Sequence, residues 1–355
     1  QDLRDTEGWW FWWQFRVRGA GGRRLTFRHV LPRDPAKGGF PFDRRGPAVS
    51  VDAGATWSWL GAESVTKTER GAEFGFAFPE GAQDVRFAYA LPYVDSDLQR
   101  LLARYAENPH LEQRELCRSR KGRPVRRVHV GCLKDPATRV LVTARHHCCE
   151  SLAGYEIEGL IEAALEESEL GRWFQREVEM MIVPFVDTDG VEDGDQGKNR
   201  RPRDHNRDYS GDSVHVETRA MRAQVPAWCG DRLRVALDLH CPYVGDQKIH
   251  IVGSPLPAIW EEQRRFGRIL EATATGPLPY RTEDDLPFGQ GWNVNANCAL
   301  GMSCARWAAD LPGVRLATSV EFPYAEARGV AVTADATRAF GRDLARALRE
   351  YLSGR

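Results

Sequence analysis

The sequence predicts an α/β protein with a mixed, largely parallel sheet flanked by helices, preceded by an N-terminal antiparallel β-sandwich. Residues 1–92 contain short aromatic and β-branched runs separated by Gly- and Pro-containing turns, which is typical of a small sandwich. From Ser96 onwards the apolar residues take helical spacing, and strand-like and helical segments then alternate to the end of the chain. This alternation favours a sheet covered by helices. We therefore predict two domains, residues 1–92 and 93–355.

The elements follow from the local spacing of apolar residues. An aromatic cluster from Trp9 to Trp13 opens the first strand and is either a carbohydrate platform or core and interdomain packing. The predicted strands are 9–18, 24–30, 74–78, 85–91, 123–130, 140–144, 179–186, 233–239 and 314–320. The predicted helices are 155–167, 216–228, 259–272 and 336–352, after a helical start at Ser96.

Composition limits the class of protein. The chain has 355 residues, 42% of them hydrophobic, without the long apolar run that a membrane span needs, so we expect a globular protein with a sizeable core. A formal net charge of −1 gives no electrostatic reason to expect nucleic acid or a membrane surface as partner. No signal peptide is evident. Eight scattered cysteines predict reduced thiols and a cytoplasmic location.

Three predicted strands end in residues that can bind or serve a metal ion. His147 and Glu150 follow the strand 140–144, His240 follows 233–239, and Glu321 follows 314–320. Because the carboxyl ends of parallel strands meet at one edge of a sheet, these side chains are expected to lie together. Two imidazoles and one carboxylate form a ligand set typical of catalytic zinc, with room left for water. Glu321 is then a carboxylate available as a general base.

Two other metal sites compete with this hypothesis. Three cysteines adjoin the proposed ligands: Cys148, Cys149 and Cys241. They are either small buried residues beside the site or the reactive groups of a thiolate zinc site or a redox switch. The acidic loop from Asp187 to Asp195 offers hard oxygen ligands for calcium, but its spacing does not match the twelve-residue calcium loop. A structured loop leading to Arg200 accounts for it better.

The motifs together resemble those of the zinc metallocarboxypeptidases of the funnelin type, and within them the cytosolic carboxypeptidase branch. The resemblance covers most of the chain after Leu91. It rests on His-x-x-Glu, Gly-x-x-Arg, Asp-x-Asn-Arg, a distant His at a strand end and a late Glu, in that family's order: His147 and Glu150, Gly197 and Arg200, Asp204 to Arg207, His240 and Glu321.

The resemblance implies a role for each of these residues. One zinc ion held by His147, Glu150 and His240 would polarise a water, and Glu321 would take its proton. By its Gly-x-x-Arg position, Arg200 would stabilise the oxyanion, and the adjacent substrate-binding residue Arg201 is the alternative for that role. Asn206 and Arg207 would bind the terminal carboxylate of the substrate. Asp204 would orient His147.

The resemblance also implies a substrate class, the C-terminal peptide or isopeptide bond of a peptide or protein. Arg306, fifteen residues before Glu321, matches a pocket position and would favour acidic C-terminal residues unless it is an ion-paired surface residue. Cys148-Cys149 replaces the Pro-Gly common between the ligands, and the interval from Arg200 to Asn206 is short. Two other functions stay open, an N-acyl amino-acid deacylase of the aspartoacylase kind and a non-catalytic peptide- or glycan-binding protein.

Overall fold

The computed structural model describes residues 10–30 and 41–354. Trp9, the first residue of the predicted aromatic strand, lies outside these residues. The first seven strands form two antiparallel sheets, with strand orders β1-β7-β3-β4 and β2-β6-β5. Their bounds are β1 (Gln14–Arg18), β2 (Arg24–Val30), β3 (Ala48–Ser50), β4 (Ser58–Trp59), β5 (Val65–Thr68), β6 (Gly71–Ala77) and β7 (Asp84–Ala88).

The start of the first strand differs from the prediction. Phe11, Trp12 and Trp13 are almost fully buried, yet the strand begins only at Gln14. The backbone N–H groups of Phe11 and Trp12 donate to the side-chain oxygen of Gln196, at 2.8 and 3.2 Å, instead of to a neighbouring strand. The described aromatic residues of this cluster therefore pack as core, which argues against a carbohydrate platform.

A seven-stranded mixed sheet forms the centre of the rest of the chain, in the order β13-β14-β12-β10-β11-β9-β8. Its four middle strands, β14, β12, β10 and β11, run parallel. The flanking strands β13 and β9 are antiparallel to them, and the edge strand β8 is antiparallel to β9. The bounds are β8 (Leu111–Arg118), β9 (Pro124–Gly131), β10 (Thr138–Ala144), β11 (Val178–Val183), β12 (Leu233–His240), β13 (His250–Val252) and β14 (Leu316–Glu321). A two-stranded ribbon of β15 (Glu326–Ala327) and β16 (Val330–Ala331) follows.

Helices cover both faces of this sheet. Val140 and Val142 of β10 point into a core shared with α2, α3, α6 and α9, whereas Leu141 points into a second core with α5 and α8. Such alternation is what a strand buried on both faces requires. The bounds are α1 (Asp95–Ala103), α2 (Leu152–Leu165), α3 (Glu169–Glu177), α4 (Thr188–Asp193), α5 (Val216–Cys229), α6 (Pro257–Thr273), α7 (Asn295–Cys298), α8 (Cys304–Ala308) and α9 (Ala334–Leu352).

The predicted fold class is confirmed: a helix-flanked, largely parallel sheet follows antiparallel N-terminal sheets. The domain boundary at residue 92 stays a prediction. Phe11 and Tyr89 from the N-terminal part pack against the ring of Tyr324, with ring centroids 5.7 and 5.4 Å from it. Among the described helices, none combines the length and the apolar character needed to cross a membrane.

Candidate active site

The site lies where the chain reverses its direction across the sheet. After β10 the chain adds β11 on one side and then β12 on the other, which makes the end of β10 a switch point of the kind where open α/β sheets bind ligands. Ala144 lies opposite Leu239, and His240 lies opposite Glu321. The three strands therefore deliver His147, His240 and Glu321 to one edge of the sheet, as the sequence predicts.

A tight turn connects β10 to α2 and carries the first two predicted ligands. Arg145 has a positive φ of 60°, which is uncommon for a residue other than glycine and occurs often at functional sites. Its buried guanidinium donates from Nε to the carbonyl of Cys148 and from Nη1 to that of Tyr93, both at 2.8 Å. Gly197 (φ 80°) lies so close that a Cβ there would come within 2.6 Å of the Cys148 nitrogen. This turn is thus clamped from two sides.

The cysteines in and near this turn are neutral thiols. Cys148 Sγ donates to the carbonyl oxygen of Asp195 at 3.1 Å. Burial raises the pKa of the Cys149 thiol to about 12 and raises the pKa values of Cys148 and Cys241 well above their usual range. Burial disfavours the thiolate that reacts with oxidants, and none of these three cysteines belongs to a potential ligand cluster within the described residues. The arrangement therefore favours buried packing over a redox switch or a thiolate zinc site.

The three predicted ligands meet at the floor of the site. His147 Nδ1 lies 2.9 Å from Glu150 Oε1, and His240 Nδ1 lies 2.8 Å from Glu150 Oε2. One ligand atom from each residue lies within 4.8 Å of the other two. Each of these imidazole nitrogens must carry a proton or bind a metal ion to lie this close to a carboxylate oxygen. The donor set and its convergence therefore fit zinc.

Carboxylates hold the far side of each imidazole. Asp204 oxygens lie 3.0 and 3.2 Å from His147 Nε2, as the motif comparison implies. Asp238 Oδ2 lies 2.7 Å from His240 Nε2 and was not predicted. Its signal in the sequence is the Asp-x-His spacing on β12, because alternate residues of a strand share a face. Both contacts fix the tautomer that directs Nδ1 at a metal.

The electrostatics of the ligand cluster also favour a cation. Burial alone would raise the pKa of Glu150, but the Lys198 ammonium and the two imidazoles hold it well below its usual range. Burial likewise opposes charge on His147, yet Asp204 and Glu150 raise the pKa of that imidazole. The carboxylates therefore stay ionised and provide negative charge around the metal position.

A second potential ligand cluster lies behind this one and is already occupied by internal bonds. It consists of His146, Asp238 and Cys304. Asp238 Oδ1 accepts from Thr143 Oγ1 at 2.7 Å and lies 2.9 Å from His146 Nδ1, while Oδ2 faces His240. Burial also raises the pKa of Cys304 well above its usual range. This cluster supports His240 and does not offer an available ligand set.

A cavity of about 820 Å³ opens above the floor and is lined by His147, His240 and Glu321. Glu321 is 8% exposed, and its Oε2 has no hydrogen-bond partner within the described residues. A buried carboxylate oxygen without a partner costs free energy unless it serves a ligand. The predicted general base is therefore placed beside the ligand cluster with one oxygen uncommitted.

The predicted residues for holding a carboxylate also line this cavity. Asn206 Oδ1 accepts from the Cys304 backbone, and its Nδ2 lies 3.0 Å from His240 Nε2. Arg207 donates from Nη1 to the Asn206 carbonyl and from Nη2 to Asn297 Oδ1, both at 2.8 Å. These bonds fix the orientation of the guanidinium at the cavity wall.

Arg306 combines both interpretations given for it. It lies on α8 and lines the cavity. Its Nη1 is also 2.6 Å from Asp310 Oδ2, one helical turn away, and its side chain is 33% exposed. The guanidinium is therefore an ion-paired cation at the cavity wall.

Arg200 and Arg201 line a different cavity from the ligands. Arg200 Nη2 lies 2.7 Å from Asp187 Oδ2 and 3.2 Å from Asp195 Oδ2, which is a poor position for the predicted oxyanion role. Within the run of cations from Lys198 to Arg201, Lys198 lines the ligand cavity, and its Nζ is 2.6 Å from Glu150 Oε1. The sequence signal was present, since Lys198 belongs to the Gly197–Arg201 run of cations.

The acidic loop that suggested calcium is neutralised by basic side chains. Asp189 Oδ1 accepts from Arg123 at 3.0 Å, and Asp193 Oδ1 accepts from the same guanidinium at 2.9 Å. Asp193 Oδ2 also contacts the Lys121 ammonium. These pairs support a structured loop, which here contains α4.

Comparison with known proteins adds independent findings. No family model matches the chain. A metallo-carboxypeptidase from Burkholderia cenocepacia superposes with a TM-score of 0.79 at 20% identity, covering 99% of this chain and 91% of its own. One from Pseudomonas aeruginosa, in complex with (2-guanidinoethylmercapto)succinic acid, gives a TM-score of 0.72 at 21% identity and covers 96% and 89%. The chain has the metallocarboxypeptidase fold.

A sequence relative agrees with this metallocarboxypeptidase fold. Cytosolic carboxypeptidase 2 of Xenopus tropicalis is 29% identical over 147 residues, which are 38% of this chain. The match spans only 15% of that relative's length. The resemblance to metallocarboxypeptidases drawn from the motifs is thus confirmed, whereas the roles of individual residues stay predictions.

Proposed function

We propose that the chain is a zinc metallocarboxypeptidase that hydrolyses the C-terminal peptide or isopeptide bond of a peptide or protein. The observation that carries the proposal is the convergence of His147, Glu150 and His240, with ligand atoms within 4.8 Å, at the floor of a cavity that Glu321 also lines. Similarity to metallo-carboxypeptidase structures supports it. The cytoplasmic location stays a prediction.

The chain's own residues divide the work of hydrolysis. Bound zinc supplies Lewis acidity and lowers the pKa of water in the site. Glu321, with one oxygen uncommitted, accepts a proton from that water and returns it to the leaving amine. Lys198, which lines the same cavity as the proposed zinc ligands, would stabilise the oxyanion of the reacting carbonyl in place of Arg200.

The other end of the substrate is held by residues on the cavity wall. Asn206 and Arg207 would bind the terminal carboxylate, with Arg207 preset by its two hydrogen bonds. The succinic acid derivative bound to the Pseudomonas protein also carries carboxyl groups. Arg306 would favour an acidic last side chain, because part of its guanidinium charge remains available at the cavity despite the partly exposed Asp310.

The experiment is release of the last residue from peptides ending in Glu, Asp, Lys, Phe or Ala by zinc-loaded protein. We expect release of acidic residues first, loss of all release in Glu321→Gln, and loss of the acidic preference alone in Arg306→Gln. Faster release of Lys or Phe would reject the role of Arg306. No release from any peptide, with hydrolysis of N-acetyl amino acids, would favour the deacylase, and binding without turnover of either would favour a non-catalytic protein.

A further inference from the structure

A second cavity of about 530 Å³ lies on the opposite side of the segment that carries Lys198 and Arg207. Different residues of this segment line the two cavities. Lys198 and Asn206 line the cavity above the proposed zinc ligands, whereas Arg200 and His205 line the second one. The function proposed above does not use the second cavity.

Two imidazoles and a carboxylate converge in this second cavity. One ligand atom from each of His205, His215 and Glu217 lies within 4.8 Å of the other two. The two rings are stacked, with centroids 3.6 Å apart. Their exposed fractions are 3%, 6% and 5%, so all three groups are removed from water.

The imidazole of His205 is poorly satisfied by hydrogen bonds within the described residues. His205 Nδ1 has no hydrogen-bond partner within the described residues and lies 3.9 Å from the nearest Asp187 oxygen. His205 Nε2 is 3.8 Å from Glu217 Oε2, too far for a hydrogen bond but close to the roughly 3.4 Å that separates two ligands of one zinc ion. Polar atoms this buried are normally satisfied.

The second imidazole is set for a metal by a backbone contact. His215 Nε2 lies 2.7 Å from the carbonyl oxygen of Arg203, so that nitrogen must carry the proton. The lone pair of His215 is then on Nδ1. A carbonyl that fixes the tautomer in this way is the usual partner of a metal-binding histidine.

The charge around His205 also favours a cation. Burial opposes protonation of His205, yet Asp187 and Glu217 raise its pKa above the ordinary value. Asp187 itself accepts from Gly190 N and is paired with Arg200, so it acts as a fixed charge and not as an available ligand. Without a metal the cluster can hold a proton on His205, and a metal would replace it.

We propose that His205, His215 and Glu217 bind a second divalent transition-metal ion, of the zinc class, separate from the ion at His147. His205 belongs to the short turn His205–Arg207, while His215 and Glu217 lie at the start of α5. An ion between them fastens the turn to the helix. The ion acts as a structural metal that holds Asn206 and Arg207 in place at the wall of the substrate cavity.

The first test is metal stoichiometry of the full chain, measured by elemental analysis after dialysis against zinc and, separately, cobalt. We expect two ions per wild-type chain, one in Glu217→Gln or His215→Asn, and one in His147→Asn. A single ion that is lost in His147→Asn and kept in Glu217→Gln would overturn the second site. A single ion with the opposite dependence would support the second site and instead reject the proposed catalytic one.

A second measurement tests the fastening without relying on activity. In the His147→Asn variant, which lacks a catalytic ligand, zinc should slow amide hydrogen exchange across residues 203–217 at least about tenfold at saturating metal. The same variant carrying Glu217→Gln is the matched control and should show no slowing. Unchanged exchange on zinc addition, with the two-ion stoichiometry also absent, would overturn the proposal.

Discussion

The placement of Lys198 and Arg200 in different cavities leads to opposite expectations for two similar substitutions. Lys198→Met removes the cation of the substrate cavity that lies beside the proposed zinc ligand Glu150. Removing one group that stabilises a developing oxyanion costs about 10²–10³-fold in kcat, or about 2.7–4 kcal/mol. We expect a loss of this size in zinc-loaded Lys198→Met, with KM nearly unchanged, because the ammonium acts on charge that appears only in the transition state.

Arg200→Met removes a charge of the same sign two residues away and is the matched control. Arg200 is 10% exposed and pairs with Asp187 and Asp195, which are 4% and 9% exposed. Breaking a buried pair leaves carboxylates without compensation and costs about 3–5 kcal/mol of unfolding free energy. We therefore expect a lower urea midpoint for Arg200→Met and a kcat close to that of the wild type for the folded fraction.

The assay is steady-state hydrolysis of the best peptide from the terminal-residue panel, with zinc content and urea unfolding measured on the same preparations. A large fall in kcat for folded, zinc-replete Arg200→Met, with Lys198→Met unaffected, would refute the assignment to Lys198. That result would restore the role that the Gly-x-x-Arg motif predicts for Arg200.

Two further predictions concern metal binding and pH. Asp204→Asn should weaken zinc binding about 10–100-fold, because the carboxylate 3.0 Å from His147 Nε2 orients that ligand. Competition with a chromophoric chelator measures the zinc affinity, and an unaltered affinity would contradict the prediction. Burial raises the pKa of Asp285 to about 6, above its unfolded value. The contribution of Asp285 to the free energy of unfolding is therefore complete below about pH 4, and about 3 kcal/mol of that free energy is lost as pH rises through 6. Asp285→Asn should flatten that fall in urea unfolding, and an unchanged slope would reject this origin.

The centre of the fold was predictable because its strands carry their own signal. The runs that became β10, β12 and β14 are short, apolar and β-branched, and a strand buried on both faces tolerates little else. Each run ends in or just before a polar residue of the site. The rule that parallel strands end at one edge then brings His147, His240 and Glu321 together without knowledge of the loops.

Contacts distant in sequence were beyond the reach of this reasoning. The first strand was predicted to include Phe11 and Trp12, since aromatic residues favour strands. Their backbone donors instead bond to Gln196, which no local pattern reveals. The cluster of His205, His215 and Glu217 was missed for a similar reason. His205 and His215 are ten residues apart with no strand or helix joining them, and only the folded chain stacks their rings.

The choice between Lys198 and Arg200 shows most clearly what a motif leaves undetermined. Both are cations in one five-residue run, so charge and spacing alone cannot distinguish them. The backbone does so: Gly197 and Asn199 have positive φ values of 80° and 54°, conformations that suit glycine and asparagine. The backbone changes direction at these two residues. As a result, the side chain of Lys198 points toward Glu150 and that of Arg200 points toward Asp187. Because the Cβ position of Gly197 is blocked by Cys148, an Ala there should shift this loop and disturb both cations at once.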